Sequence, residues 1–227
     1  MINQLHALLH RPEKGWDPVP PEHAITYGEG EWQRVDEGLL DHLDHWTGGL
    51  YGKRVLDLGG GPGQYSAAFA RRGAEVTWHD VSRHYRDIAQ ARIRALGLAE
   101  RVRFSLGYLE EAPRLLTGNF DLVFNRICWY YGMSDAGFAG VVYRLIAPGG
   151  WAYVDTNHSS GRPDNLPLTV RLRTWLNDRF TIKIGHPYPP HGRVAHLFLR
   201  YPVARLLVDY RSAANDRILL QKPGGRG

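Results

Sequence analysis

One segment limits the choice of fold more than any other: Val55-Leu56-Asp57-Leu58-Gly59-Gly60-Gly61-Pro62-Gly63. A short apolar strand runs straight into three spaced glycines and then into a helical stretch. Glycine is needed where a tight turn takes φ > 0 or where a ligand must approach the backbone closely. A strand that turns directly into a helix in this way belongs to alternating β/α architecture.

The rest of the chain keeps that rhythm. Arg54–Leu58 reads as a strand and Gln64–Arg72 as a helix stopped by Gly73. Ala74–Asp80 is a second strand. Ser82 caps a helix whose buried side holds Tyr85, Ile88, Ala89 and Leu96 and which ends at Gly97. Val102, Phe104 and Leu106 alternate as a third strand, and Phe120–Phe124 is a fourth. Ser134 caps a helix bearing Phe138, Val141, Val142 and Leu145, closed by Pro148-Gly149-Gly150, and Trp151–Asp155 is a fifth strand. After a helix near Leu166–Phe180, the segments Arg205–Tyr210 and Arg217–Gln221 read as an antiparallel hairpin. The expectation is a doubly wound, mostly parallel α/β sheet of seven strands with that hairpin at its C-terminal edge. Lys222–Gly227 reads as a frayed end.

Upstream, residues 1–50 read as a helical cap or lid on one domain spanning 51–227. Ile2, Leu5, Leu8 and Leu9 suit a short amphipathic helix. From Arg11 to Gly30 the chain is rich in proline and glycine, and Pro18, Pro20 and Pro21 argue against regular helix. Trp32, Val35, Leu39, Leu43 and Trp46 then fall on one helical stripe, despite Gly38.

Composition removes several function classes. With 227 residues, 43% hydrophobic and 22% charged, the chain has the profile of one ordinary globular domain. No apolar run approaches the length of a bilayer span, so no membrane partner is expected. The first ten residues lack the pattern of a signal peptide, so the expected location is the cytoplasm. Cys128 is the single cysteine, which excludes an intrachain disulfide and a thiolate zinc cluster. The net charge of +5 raises the question of nucleic acid. Its arginines are scattered, as in Arg71, Arg72, Arg83, Arg86, Arg92 and Arg94, mostly on outer helix faces, and nucleic acid is therefore not the expected partner. Nothing in the sequence indicates an oligomeric state.

The glycine turn itself carries chemistry. Gly59, Gly61 and Gly63 give G-x-G-x-G, whereas a dinucleotide fingerprint needs G-x-G-x-x-G and here has Gln64 at its last position. The G-K-[ST] ending of a P-loop is missing. Asp57, just before the turn, disfavours a pyrophosphate and suits a cationic ligand. Asp80 ends the second strand, where a carboxylate can accept hydrogen bonds from both hydroxyls of a ribose.

These residues resemble the class I S-adenosylmethionine (SAM)-dependent methyltransferases, over about residues 50–158 and specifically at Asp57–Gly63 and Asp80. The resemblance implies a Rossmann-like fold with SAM as cofactor. It implies that Asp57 and the loop Gly59, Gly60, Gly61 and Gly63 meet the amino-acid part of SAM, and that Asp80, with Val81 beside it, holds the ribose. Tyr108 stands where the family often has an acid for adenine, so the Leu109 backbone or Glu110 would serve instead. Tyr27 and Trp32 would lie in an N-terminal lid over SAM, although Trp32 can equally anchor its own helix.

Loops beyond the carboxyl ends of the strands flank the ligand cleft in such a sheet. Asn125 and Arg126 follow the fourth strand, and by resemblance this loop borders both the SAM methyl and the acceptor. The aromatic run Trp129, Tyr130 and Tyr131 can wall an acceptor pocket and stabilise a sulfonium, or pack beneath the next helix; about half of it should face the pocket. His158, after the fifth strand, is a candidate general base or a surface histidine. Cys128 is disfavoured as a nucleophile, since a lone buried cysteine is inert. The insertion from Gly185 to Arg193 reads as a stiff lid, with His186 and His191 too isolated for a metal site. The leading expectation is methyl transfer to a small molecule. The alternative is a SAM cyclase or lyase that folds the aminobutyrate chain of SAM on itself and expels methylthioadenosine, as azetidine-2-carboxylate-forming cyclases do. A non-catalytic SAM-binding or RNA-binding module comes third.

Overall fold

The computed structural model describes residues 2–157, 188–209 and 215–225. Strands β1 (Arg54–Leu58), β2 (Glu75–Asp80), β3 (Val102–Leu106), β4 (Phe120–Arg126) and β5 (Ile146–Asn157) are joined by β6 (Arg205–Asp209) and β7 (Asn215–Gln221) in one sheet of order β3-β2-β1-β4-β5-β7-β6. The first five strands pair in parallel, and β7 pairs antiparallel with both β5 and β6. This is the expected seven-stranded Rossmann-like sheet with its closing hairpin. The strand order reverses between β1 and β4, so the connections that follow them leave on opposite faces and open a crevice at their carboxyl ends.

Alternation along the strands builds two cores. Leu56, Val123, Ala152 and Val154 face α7 (Asp135–Leu145) and α8 (Arg193–Phe198), where Phe138, Val142 and Phe198 are fully buried. Val55, Val76, Trp78, Phe124 and Tyr153 face the other way, onto α4 (Gln64–Arg71) and α5 (Arg83–Ala95). Such two-sided burial is what makes parallel strands almost continuously apolar.

The N-terminal region departs from expectation in two places. The proline-rich segment contains a full helix, α2 (Pro21–Trp32), which follows α1 (Ile2–Leu9). Pro20 is extended (φ −60°, ψ 144°) as the N-cap and Pro21 takes the first turn, where a missing N–H costs nothing. The long stripe from Trp32 to Trp46 is not one helix. It breaks after Trp32, and α3 (Glu37–Thr47) starts afresh at Asp36, whose carboxylate accepts from Leu39 N at 3.0 Å. Gly28 lets α2 lie close on α5: a side chain there would touch Pro62 and Ile88.

The C-terminal tail is also better anchored than a frayed end. Lys222 donates its backbone N–H to Gly150 O at 2.9 Å and its Nζ to Ile146 O at 2.9 Å. The helix expected near Leu166–Phe180 lies outside the described residues. No helix among the described residues is long and apolar enough to cross a membrane.

Candidate active site

A cleft of about 800 Å³ opens at the carboxyl ends of β1, β2 and β4, under the segment from Trp16 to Arg34. Its floor is the glycine loop. Gly59 N and Gly60 N donate to His79 O at 2.8 and 3.3 Å, which zips the loop to the end of β2. Asp80 completes the clasp: Oδ2 accepts from Gly61 N at 3.0 Å and Oδ1 from Ser82 N at 2.9 Å. Ser82 in turn caps α5, accepting from Tyr85 N at 3.2 Å.

The glycines of the loop do different work. A Cβ at Gly59 (φ +81°) would collide with Cys128 Sγ, and one at Gly63 (φ +85°) would sit 2.6 Å from Ala89 Cβ. Gly60 packs directly on the Trp78 ring. Only at Gly61 (φ +50°) would a Cβ meet no atom within 4 Å. Gly59, Gly60 and Gly61 line the cleft, whereas Gly63 serves the contact between α4 and α5.

Asp57 is buried beneath this floor and accepts from Ser66 Oγ at 2.7 Å. Burial pushes its carboxyl up to about 7, with the Asp80 charge adding to the effect and the Ser66 bond opposing it. Burial likewise raises Asp80, against three backbone N–H bonds. Gln64 lines the same wall, and its Oε1 is buried without a partner.

Val81, Tyr108 and Leu109 line the far end of the cleft, joined there by Trp16, whose ring centroid is 6.0 Å from that of Tyr108. The Tyr108 hydroxyl donates to His10 O. Glu110 is not available there, because its carboxylate accepts from Met133 N at 2.5 Å. The strap that carries Trp16 is pinned by Asp17, which accepts from Ser82 Oγ, Arg83 N and His84 N at 2.9, 2.7 and 3.0 Å.

At the other end, Tyr27, Tyr85, Tyr130 and Tyr131 face the cleft. Tyr130 and Tyr131 have ring centroids 4.4 Å apart, and Tyr188 stands 4.7 Å from Tyr130. Burial raises all four cleft-facing hydroxyls, Tyr27 to about 12, so this end presents neutral phenols. Ile127 adopts φ +55°, the one described non-glycine residue with positive φ, and donates its N–H to Asp155 O at 2.6 Å. Such backbone strain at a cleft is held by the surrounding structure.

Besides Gly63, three expected site residues stand elsewhere. Trp129 is fully buried, its ring 4.8 Å from Phe138 and 5.9 Å from Phe198, and its Nε1 donates to Asp135 at 2.9 Å. Asn125 is buried behind the wall, where Nδ2 donates to Leu58 O at 2.9 Å and contacts Cys128 Sγ at 2.8 Å. Trp32 turns away from the cleft to a shallow surface pocket, 4.9 Å from the Arg92 guanidinium carbon. His158 and His186 lie outside the described residues, and His191 Nδ1 is 2.6 Å from Asp216 Oδ1. The sequence reading missed Trp16, Asp17, Tyr65 and Tyr85 as parts of the site; the Pro20-Pro21 helix start was the signal that would have found the strap.

The donor set fits a cationic adenosyl cofactor. Gly61 leaves room for a close approach, Gln64 Oε1 is an unmatched buried acceptor, and Asp57 and Asp80 place two carboxyl groups along one wall. Comparison with known proteins points the same way. Residues 55–150 match the family described as a methyltransferase domain. A ubiquinone biosynthesis O-methyltransferase from Aeromonas salmonicida is 30% identical over 131 residues, which are 56% of this chain and 54% of that enzyme. One from Pseudomonas aeruginosa is 31% identical over 158 residues, 68% of this chain and 61% of that enzyme. The chain thus spans little more than half the length of the curated relatives it matches. Among solved structures, a candidate SAM-dependent methyltransferase from Methanococcus maripaludis superposes with a TM-score of 0.65 at 16% identity, covering 91% of this chain and 94% of that one, a likeness of fold.

Proposed function

We propose, from the match of residues 55–150 to a methyltransferase domain, that this chain is a class I SAM-dependent methyltransferase that methylates a small molecule in its tyrosine-lined cleft. The observation that carries the reading is the lining of one cleft of about 800 Å³, which brings the glycine loop, Asp57 and Asp80 together with Tyr27, Tyr130 and Tyr131. That volume lies in the range of ordinary small-molecule sites.

SAM bound there supplies an electrophilic methyl group. The chain's own part is binding and alignment. Asp80 holds the Gly61 loop and faces the ribose position, and Asp57 balances positive charge. The tyrosine faces exclude water and orient a flat acceptor beside a cation. The raised tyrosine pKa values keep these phenols from acting as bases near neutrality.

The same neutral cage favours a second reading, in which SAM itself is cleaved and its aminobutyrate chain closes on itself. Mass spectrometry of SAM incubated with the protein, alone and with panels of phenols, amines and carboxylic acids, decides between them. S-adenosylhomocysteine that appears only with an acceptor supports methyl transfer. Methylthioadenosine from SAM alone supports the second reading, and failure to bind either nucleoside overturns both.

A further inference from the structure

Arg126 ends β4 in the wall of the cleft, and the cofactor reading gives it no task. Its guanidinium carbon lies 5.2 Å from the centroid of the Tyr65 ring, and its Nε is 3.4 Å from Asp155 Oδ2. That Nε is buried and makes no hydrogen bond. A guanidinium offers five N–H donors in a rigid fork, and leaving them unmatched in a partly dry wall is costly.

Asp155 does not cancel this charge. Its side chain is 1% exposed, accepts from Asn215 Nδ2 at 2.9 Å, and also faces Arg217 Nε at 3.9 Å. This carboxylate is divided among Asn215, Arg217 and Arg126, and it meets Arg126 Nε at 3.4 Å without a hydrogen bond, so it does not saturate the Arg126 fork. The nearby Asp36 is engaged in capping α3. Arg34, the other arginine in the cleft, is paired with Glu31 at 3.0 Å and its side chain is 73% exposed. Asp57 and Asp80 belong to the glycine-loop wall. Arg126 lines the same cleft as Tyr27, Tyr130 and Tyr131.

We propose that Arg126 determines acceptor specificity: it anchors a carboxylate, so that the substrate is a flat aromatic acid with its ring among Tyr27, Tyr130 and Tyr131. The inference rests on the methyltransferase reading above. A carboxylate matches the guanidinium fork with two parallel hydrogen bonds, and a neutral amide cannot. A site built around such a partner rejects the analogue that leaves it unpaired.

Calorimetry on the full chain tests this with 4-hydroxybenzoate and 4-hydroxybenzamide as probes, after saturation with S-adenosylhomocysteine. The acid should bind at least tenfold tighter than the amide. R126Q should abolish that preference and leave S-adenosylhomocysteine affinity within twofold. R126K, which keeps the charge and loses the fork, should retain part of the preference. D155N, which removes the competing carboxylate, should tighten the acid. Equal affinity for the two probes, or no binding of the acid, overturns the proposal. So does a tenfold loss of S-adenosylhomocysteine affinity in R126Q, which would assign the guanidinium to the cofactor's own carboxylate. If the wild-type chain fails to bind S-adenosylhomocysteine in the first step, the methyltransferase reading itself falls, and this inference with it.

Discussion

Asp80 Oδ2 accepts the backbone N–H of Gly61 at 3.0 Å, so the carboxylate at the end of β2 holds the loop at the end of β1 in shape. One side chain therefore supports the loop and lines the cleft. Asp80→Ala should weaken S-adenosylhomocysteine binding by about 1–3 kcal/mol, since hydrogen bonds to a charged group are lost. It should also lower the melting temperature of the ligand-free protein. Calorimetry and thermal unfolding on the same sample measure both; unchanged affinity would remove Asp80 from the ligand's contacts.

Asp57 sets a pH dependence. Its folded pKa of about 7 lies above the ordinary aspartate value of 3.8, so between these values the folded protein holds a proton that the unfolded chain has lost. Stability should therefore fall as pH rises from about 4 to about 7 and level off above. A cationic ligand favours the ionised carboxylate, so SAM affinity should rise over the same upper range, from pH 6 to 8. Titrations at several pH values check the trend, and Asp57→Asn should flatten it.

The loop glycines separate binding from packing. Gly63→Ala forces a Cβ against Ala89 and should cost stability in the ligand-free protein. A Cβ at Gly61 meets no neighbour within 4 Å, and in Gly61→Val the strain at φ +50° should cost about 1–2 kcal/mol. Its main effect should be on S-adenosylhomocysteine affinity, because the side chain points into open cleft. Comparable affinity in Gly61→Val and the wild type would show that the ligand does not approach this loop.

The aromatic run divides in the same way. Trp129→Ala should destabilise the protein by about 3–5 kcal/mol, the cost of deleting a fully buried aromatic, with denaturant melts as the readout. Tyr130→Ala and Tyr131→Ala remove half-exposed cleft walls. They should lower turnover more than cofactor affinity, because alignment is lost while the adenosyl contacts remain.

Asp17 pins the strap to α5 through three hydrogen bonds. Asp17→Ala should cost about 1–2 kcal/mol, as for loss of a charged helix cap. Limited proteolysis should then cut faster between residues 11 and 20, and bound S-adenosylhomocysteine should slow that cleavage in the wild type.

What the sequence determined by itself was local. Strand periods, the caps Ser82 and Ser134, and the glycine turn with Asp57 and Asp80 are contiguous signals, each written within a few residues, and together they led to the seven-stranded sheet and the glycine-loop floor of the cleft. The N-terminal helix was misread because proline forbids a helix interior and favours a helix start, and only the position of Pro21 in the first turn decides which applies. The direction in which a side chain points was decided by tertiary structure. Trp129 and Tyr130 are adjacent in one short turn, yet one packs under α7 while the other faces the cleft. Trp16, Asp17 and Arg126 acquire their roles only from partners far along the chain, such as Tyr108, Ser82 and Asp155. Local pattern specifies which elements form, but contacts between distant residues exist only after the elements have packed, and those contacts made the tyrosine-lined wall of this cleft.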